Sequence, residues 1–175
     1  MKIGLVRHFK VKHKAPKKIL LTASEVIEWF SGYDLADVEH QAVDLKNVNW
    51  ERCLSSPLPR ALTTAKTIFD GEIETINELR ELAVFNLLNN NLKLPFIIWA
   101  ILIRIKSSSE NDTLKKFRNT IKAFVDELLL QEETQTLIVS HGFVMIYLQK
   151  ELKTRGFKGK GFSNPTNAKV YIFEK

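Results

Sequence analysis

Cysteine, glycine and long apolar runs are scarce in this chain, and each scarcity removes a class of protein. Cys53 is the only cysteine, so no internal disulfide can form, and a reducing compartment with Cys53 as a small buried residue is expected. None of the seven glycines follows a strand in the spacing that cradles a dinucleotide or a nucleoside triphosphate. No cluster of carboxylates and histidines stands at metal-ligand spacing, so neither a metal nor a cofactor is expected. The most apolar stretch, Leu94 to Ile103, is closed by Arg104 and Lys106 well short of the roughly 20 residues that span a bilayer. It is expected to be a buried or cap helix, a lid over a substrate pocket, or a membrane or partner surface. Met1 to Arg7 enters strand-like sequence at once, without the apolar core and cleavage site of a signal peptide, so the expected location is cytoplasmic.

What is present is enough for one filled core: 175 residues, 45% of them hydrophobic, predict a single domain over 1–175. The net charge of +6 favours anionic partners, whether nucleic acid, an acidic membrane face or a phosphorylated molecule. Short β-rich segments at Lys2 to Val6, Arg52 to Leu54, Glu72 to Ile76, Thr136 to Ser140 and Lys169 to Phe173 alternate with helical patterns. Thr22 to Phe30 has a capping start, and Asp112 to Leu130 places Leu114, Phe117, Ile121, Phe124, Val125 and Leu128 on one stripe. This alternation predicts an α/β three-layer sandwich, a mostly parallel sheet with helices on both faces. Asn89-Asn90-Asn91 and Ser107-Ser108-Ser109 read as loops, which marks a small helical cap around 86–110.

Chemistry concentrates at three strand ends: Val6-Arg7-His8, Leu54-Ser55-Ser56-Pro57-Leu58-Pro59-Arg60 and Val139-Ser140-His141-Gly142. In a parallel sheet these exits share one rim, so two imidazoles and two guanidiniums converge there, with no evident carboxylate cluster to offset them. Ser56-Pro57 reads as helix cap and first helical position, which sets Arg60 in a first turn whose free amides also favour anions. Phosphate fits such a rim, because a guanidinium holds two of its oxygens at once. A neutral imidazole is a competent nucleophile toward phosphorus, and a second imidazole with the arginines can offset charge on the transferring group. His13 and His40 lack such surroundings and are expected to be ordinary surface or core residues.

At these residues the sequence resembles the histidine phosphatase superfamily, also called phosphoglycerate mutase-like. Arg7-His8 is similar to its Arg-His-Gly motif, Ser55 to Ala61 with Thr64-Ala65 to its second motif, and Ser140-His141-Gly142 to its third. The resemblance implies that His8 becomes phosphorylated, that Arg7, Arg60 and His141 complete the phosphate pocket, and that an acidic residue protonates the leaving oxygen. Glu81, in Leu79-Arg80-Glu81, is the candidate acid and His141 a catalytic partner, with Glu78 as the fallback. Phe9 departs from the family glycine and Val11 from the common threonine, while Leu82-Ala83-Val84-Phe85 replaces a glycine-rich acidic segment. Phe9 is expected either to turn into the core or to narrow the entrance.

The expected function is phosphomonoester hydrolysis through a phosphohistidine on His8, with a phosphorylated small molecule or phosphoprotein as substrate; a small cap leaves the phosphoenzyme open to water. Phosphoglycerate mutase-type transfer is the alternative within the family. A different class, a catalytically silent basic module, rests on Lys10, Lys12, His13, Lys14, Lys17 and Lys18, although nucleic acid is not the expected partner. A cysteine phosphatase is not expected, because Cys53 and Arg60 are one residue too far apart for Cys-x5-Arg.

Overall fold

The computed structural model describes residues 1–81, 92–108, 112–130 and 134–175, with the backbone alone for 104–108. Among the described residues the strands are β1 (Lys2–Arg7), β2 (Lys10–Val11), β3 (Val38–Glu39), β4 (Arg52–Ser55), β5 (Ile73–Thr75), β6 (Gln135–Ser140), β7 (Lys158–Gly159) and β8 (Val170–Glu174). The α-helices among them are α1 (Ala23–Leu35), α2 (Pro59–Ile68), α3 (Phe96–Ser108), α4 (Asp112–Leu130) and α5 (Gly142–Thr154). The main sheet runs β5-β4-β6-β1-β8-β7. β5, β4, β6 and β1 are mutually parallel, whereas β8 and β7 close the far edge antiparallel.

Alternation along the strands sends side chains to two cores, as a period of two requires. Ile3, Leu5, Leu54 and Ile138 join α4 and α5, through Ile121, Val125, Met145 and Leu148, in one cluster. Val6, Cys53, Leu137 and Val139 join Ala61 and Ala65 of α2, under Trp50, in the other. Helices therefore cover both faces, the three-layer arrangement expected from the sequence. Gly4 is fixed by close approach: a Cβ there would stand 2.6 Å from the Trp50 ring. The α4 stripe is buried at every expected position, and burial raises the Cys53 thiol to about 12, an inert structural thiol.

On the side of α2, Thr22 caps α1 in a reciprocal capping box with Glu25. α3 packs on α1 through Trp99, buried with Leu21, Ala23 and Val26, and through Phe96 against Trp29, ring centres 4.6 Å apart. Two boundaries differ from expectation. α2 begins at Pro59 behind Leu58, not at Pro57, because the residue before a proline is held extended, as Leu58 is before Pro59. α3 continues through Ser107 and Ser108, so its helical turns absorb the serines read as loop. Ser109, Asn89-Asn90-Asn91, Leu82 to Phe85 and much of the 86–110 cap lie outside the described residues.

Candidate active site

Parallel pairing of β4, β6 and β1 brings their carboxyl ends level: Arg7 pairs with Ser140, and Ser55 with Val139. His8, Arg60 and His141 follow directly and are buried to 2%, 3% and 0% exposure. Polar groups so deep are tolerated only where neighbours fix them. The His8 amide donates to the Ser140 carbonyl (3.0 Å), and the His8 carbonyl accepts from Asn167 Nδ2 (2.7 Å). The Phe9 amide donates to Thr64 Oγ1 (2.8 Å), whose hydroxyl donates to the Arg60 carbonyl (2.7 Å), so the motif threonine ties α2 to the β1 exit.

The His8 ring stands 2.6 Å, through Nδ1, from the Phe9 carbonyl. A carbonyl only accepts, so Nδ1 carries the hydrogen and Nε2 keeps its lone pair. Burial pushes the His8 pKa down to about 3, with Arg60 and Arg7 lowering it further against the pull of that carbonyl. The imidazole is thus neutral at physiological pH, chiefly through desolvation. His141, its ring centre 5.1 Å from that of His8, is also held well below its usual pKa by burial, then by Arg60. Its Nε2 lies 2.8 Å from Ser56 Oγ, which also accepts from the Leu58 amide (3.3 Å); Nδ1 lies 3.6 Å from Glu81.

Both arginines are anchored at the outer end of the guanidinium. Arg7 Nη1 donates to the Pro165 carbonyl (2.9 Å). Arg60 gives Nη1 to Asp34 (2.6 Å) and Nη2 to Glu81 (2.8 Å), and lies 5.3 Å from the centre of the Tyr33 ring. Arg7 Nε, Arg60 Nε and His141 Nδ1 remain buried without a hydrogen-bond partner among the described residues. Buried donors left open in this way are costly unless a ligand accepts from them. A Cβ on Gly142 would stand 3.4 Å from the Arg7 guanidinium, so a side chain larger than a methyl would press on it.

The sequence-predicted set, Arg7, His8, Arg60, Glu81 and His141, is therefore brought together, whereas Glu78 is exposed on the 3-10 turn Asn77–Leu79. One expectation is corrected: the rim does contain offsetting carboxylates, Asp34 and Glu81, both on Arg60. Asp34 and Asn167 carried no motif signal, since one ends a helix and the other lies in a loop. Ala168 adopts φ 54, a left-handed conformation uncommon for alanine, and its amide donates to the Arg7 carbonyl (2.9 Å). Phe9 is fully buried with Val11, Val38 and Ala168, so its ring packs in the core and does not line an entrance. The basic loop is partly neutralised: Lys10 pairs with Glu39, Lys12 with Asp37 and Lys18 with Glu25.

A layered α/β sheet carrying paired imidazoles and guanidiniums at its carboxyl rim defines a buried cationic site suited to an anion. The model of the histidine phosphatase superfamily (branch 1) matches residues 35–174, and the chain belongs to that superfamily. The matched span begins after Arg7 and His8. Solved structures of similar fold include Bacillus stearothermophilus YhfR, at 18% identity and TM-score 0.57 over 99% of this chain and 90% of that one. Phosphoserine phosphatase from Entamoeba histolytica, in complex with 3-phosphoglyceric acid, matches at 19% identity and TM-score 0.56 over 98% and 89%. Phosphoglycerate mutase from Bacillus anthracis str. Sterne matches at 19% and 0.53 over 99% and 91%. No curated protein sequence matches the chain.

Proposed function

We propose that the chain is a phosphomonoester hydrolase in which His8 Nε2 attacks phosphorus and carries the phosphoryl group. The observation that supports this most directly is the hydrogen bond from Nδ1 to the Phe9 carbonyl, which leaves a neutral, buried Nε2 as the free nucleophile. Arg7 Nε, Arg60 Nε and His141 Nδ1 are the donors offered to the phosphoryl oxygens. As the N–P bond forms, the bond to the leaving oxygen breaks, and Glu81 supplies the proton to that oxygen. Water then attacks the phosphohistidine, giving its proton to Glu81 as the P–N bond breaks and His8 returns to its neutral form.

These steps use side chains alone, with no metal or cofactor. The substrate class is a phosphorylated small molecule or phosphoprotein, acted on by a single domain over 1–175 with the 86–110 segment as its cap. Among the described residues no helix is long and apolar enough to cross a membrane, and we place the protein in the cytoplasm. The test is turnover of a phosphomonoester panel, with His8→Ala as the blank and acid-labile phosphate labelling as a second readout. Wild type is expected to turn over and label, and the variant to do neither. Labelling that persists in His8→Ala removes His8 as the nucleophile; absence of turnover in wild type above the blank favours a silent binding module.

A further inference from the structure

The outer face of α3 inverts the usual distribution of apolar residues. Ile97, Ile98 and Ile101 are 67%, 41% and 52% exposed, while Trp99 on the opposite face is buried at 1%. Ile97 and Ile101 are one turn apart, so they form a ridge along a helix of 13 residues. The ridge does not stand alone. Leu21 and Leu94 exchange backbone hydrogen bonds of 2.8 and 2.9 Å, which brings the strap before α1 beside the start of α3. Ile19 and Leu20, 82% and 43% exposed, and Leu92, 57% exposed, lie next to that pairing. Among the described residues, six of the eight exposed large hydrophobic ones thus belong to two adjacent segments.

Charge is segregated on the same segments. From 9 to 24 and from 92 to 109 the sequence contains no aspartate or glutamate, but it contains Lys14, Lys17 and Lys93 among its basic residues. All three lysines are exposed. Lys14 is also tied to the patch, because its carbonyl accepts from Trp29 Nε1 (2.9 Å), and Trp29 packs on Phe96. Isoleucine and leucine at the centre, lysine at the edge and a half-buried tryptophan beside them match a helix lying in the headgroup region of an anionic bilayer. A second copy fits less well. A two-fold interface would set this lysine rim against itself on a chain of net charge +6, with no carboxylate on either segment to answer it.

We propose that the α3 ridge and the 19–21 strap form a docking surface for anionic membranes, on which the protein lies peripherally. The proposal is independent of the catalytic reading, since none of these residues reaches His8 or its partners. The test is sedimentation of the full chain with vesicles of phosphatidylcholine, alone or mixed with phosphatidylglycerol. Binding is expected only to the mixed vesicles, weakening as salt rises, with a blue shift of tryptophan emission. Ile97→Asp with Ile101→Asp is expected to reduce binding at least about tenfold. The double variant should keep wild-type circular dichroism, because both sites are exposed; Lys14→Glu with Lys17→Glu is a second, charge-only variant expected to weaken binding without touching the ridge. Equal affinity for both vesicle types, or none for either, overturns the proposal. So does a concentration-dependent dimer of the wild type that Ile97→Asp abolishes, which would assign the face to a second copy.

Discussion

The carboxyl rim of the sheet and the outer face of α3 depart from the ordinary polar-out, apolar-in arrangement in opposite directions. At the rim, His8, Arg60 and His141 are all but inaccessible; on α3, Ile97 and Ile101 face solvent. Both departures cost folding free energy, and neither is explained by the fold around it. They differ in how firmly neighbours hold them. Every rim side chain is fixed by at least one hydrogen bond, Arg7, Arg60 and His141 to distant parts of the chain and His8 to the neighbouring Phe9 carbonyl, which is what transfer chemistry demands of groups that must not reorganise. The α3 isoleucines stand largely exposed, which suffices for a surface that needs only to be apolar.

Arg60→Ala should break the rim most clearly. It removes a donor to the transferring group and frees both Asp34 and Glu81, so kcat/KM is expected to fall by at least ~10²-fold. A value within threefold of wild type would make Arg60 a structural anchor only.

Glu81→Gln should be selective: about 10²-fold on phosphate esters with poor leaving groups and little on activated aryl phosphates, which need no proton on departure. Equal losses on both remove Glu81 as the acid, and a selective loss in Glu78→Gln moves the role there.

The buried imidazoles make the rim sensitive to pH in a way α3 is not. His8 has a folded pKa near 3 against 6.5 for the ordinary side chain, and His141 is lowered as well. Between those values the unfolded chain binds protons that the folded one refuses, so stability falls as pH drops from about 6.5 toward 3. Each imidazole contributes up to about 1.4 kcal/mol per pH unit. Denaturant midpoints across this range should fall less steeply in His8→Ala than in wild type; identical slopes would show His8 to be accessible to protons.

The smallest effect is expected on α3. Ile121→Ala, in the α4 stripe at 0% exposure, should cost about 2–5 kcal/mol. Ile101→Ala, the same change on the exposed ridge, should remain within about 0.5 kcal/mol. Comparable losses would show the ridge to be covered in solution.

Legibility in the sequence followed periodicity and motif length. α4 was readable to its ends because its stripe is regular, and β1, β4 and β6 because short apolar runs end in polar motifs. The start of α2 lies two residues past the one read from sequence because Ser56-Pro57 and Leu58-Pro59 offer the same proline signal, and Leu58, held extended by Pro59, delays the first turn. Asp34 and Asn167 were illegible for another reason: each acts on one partner at long range, Asp34 on Arg60 and Asn167 on the His8 carbonyl, with no local pattern. The two-residue strands β2 and β3 are too short for any alternation to register. The exposure of α3 was beyond reach too, since an apolar run reads alike whether it faces a core or water.

The clamp on His8, the proposed nucleophile, also bears on when activity can appear during synthesis. β1 is made first, yet in the finished sheet it lies between β6 and β8, and the hydrogen bond from Asn167 to the His8 carbonyl spans 159 positions. At ribosomal speeds, His8 waits roughly 8 to 32 seconds for that partner. Through most of translation the nascent chain therefore carries His8 without the strand neighbours and amide that orient it. Competence arrives in a single late step, when residues 165–168 close over the exit of β1, so a stalled or truncated product is expected to be inert.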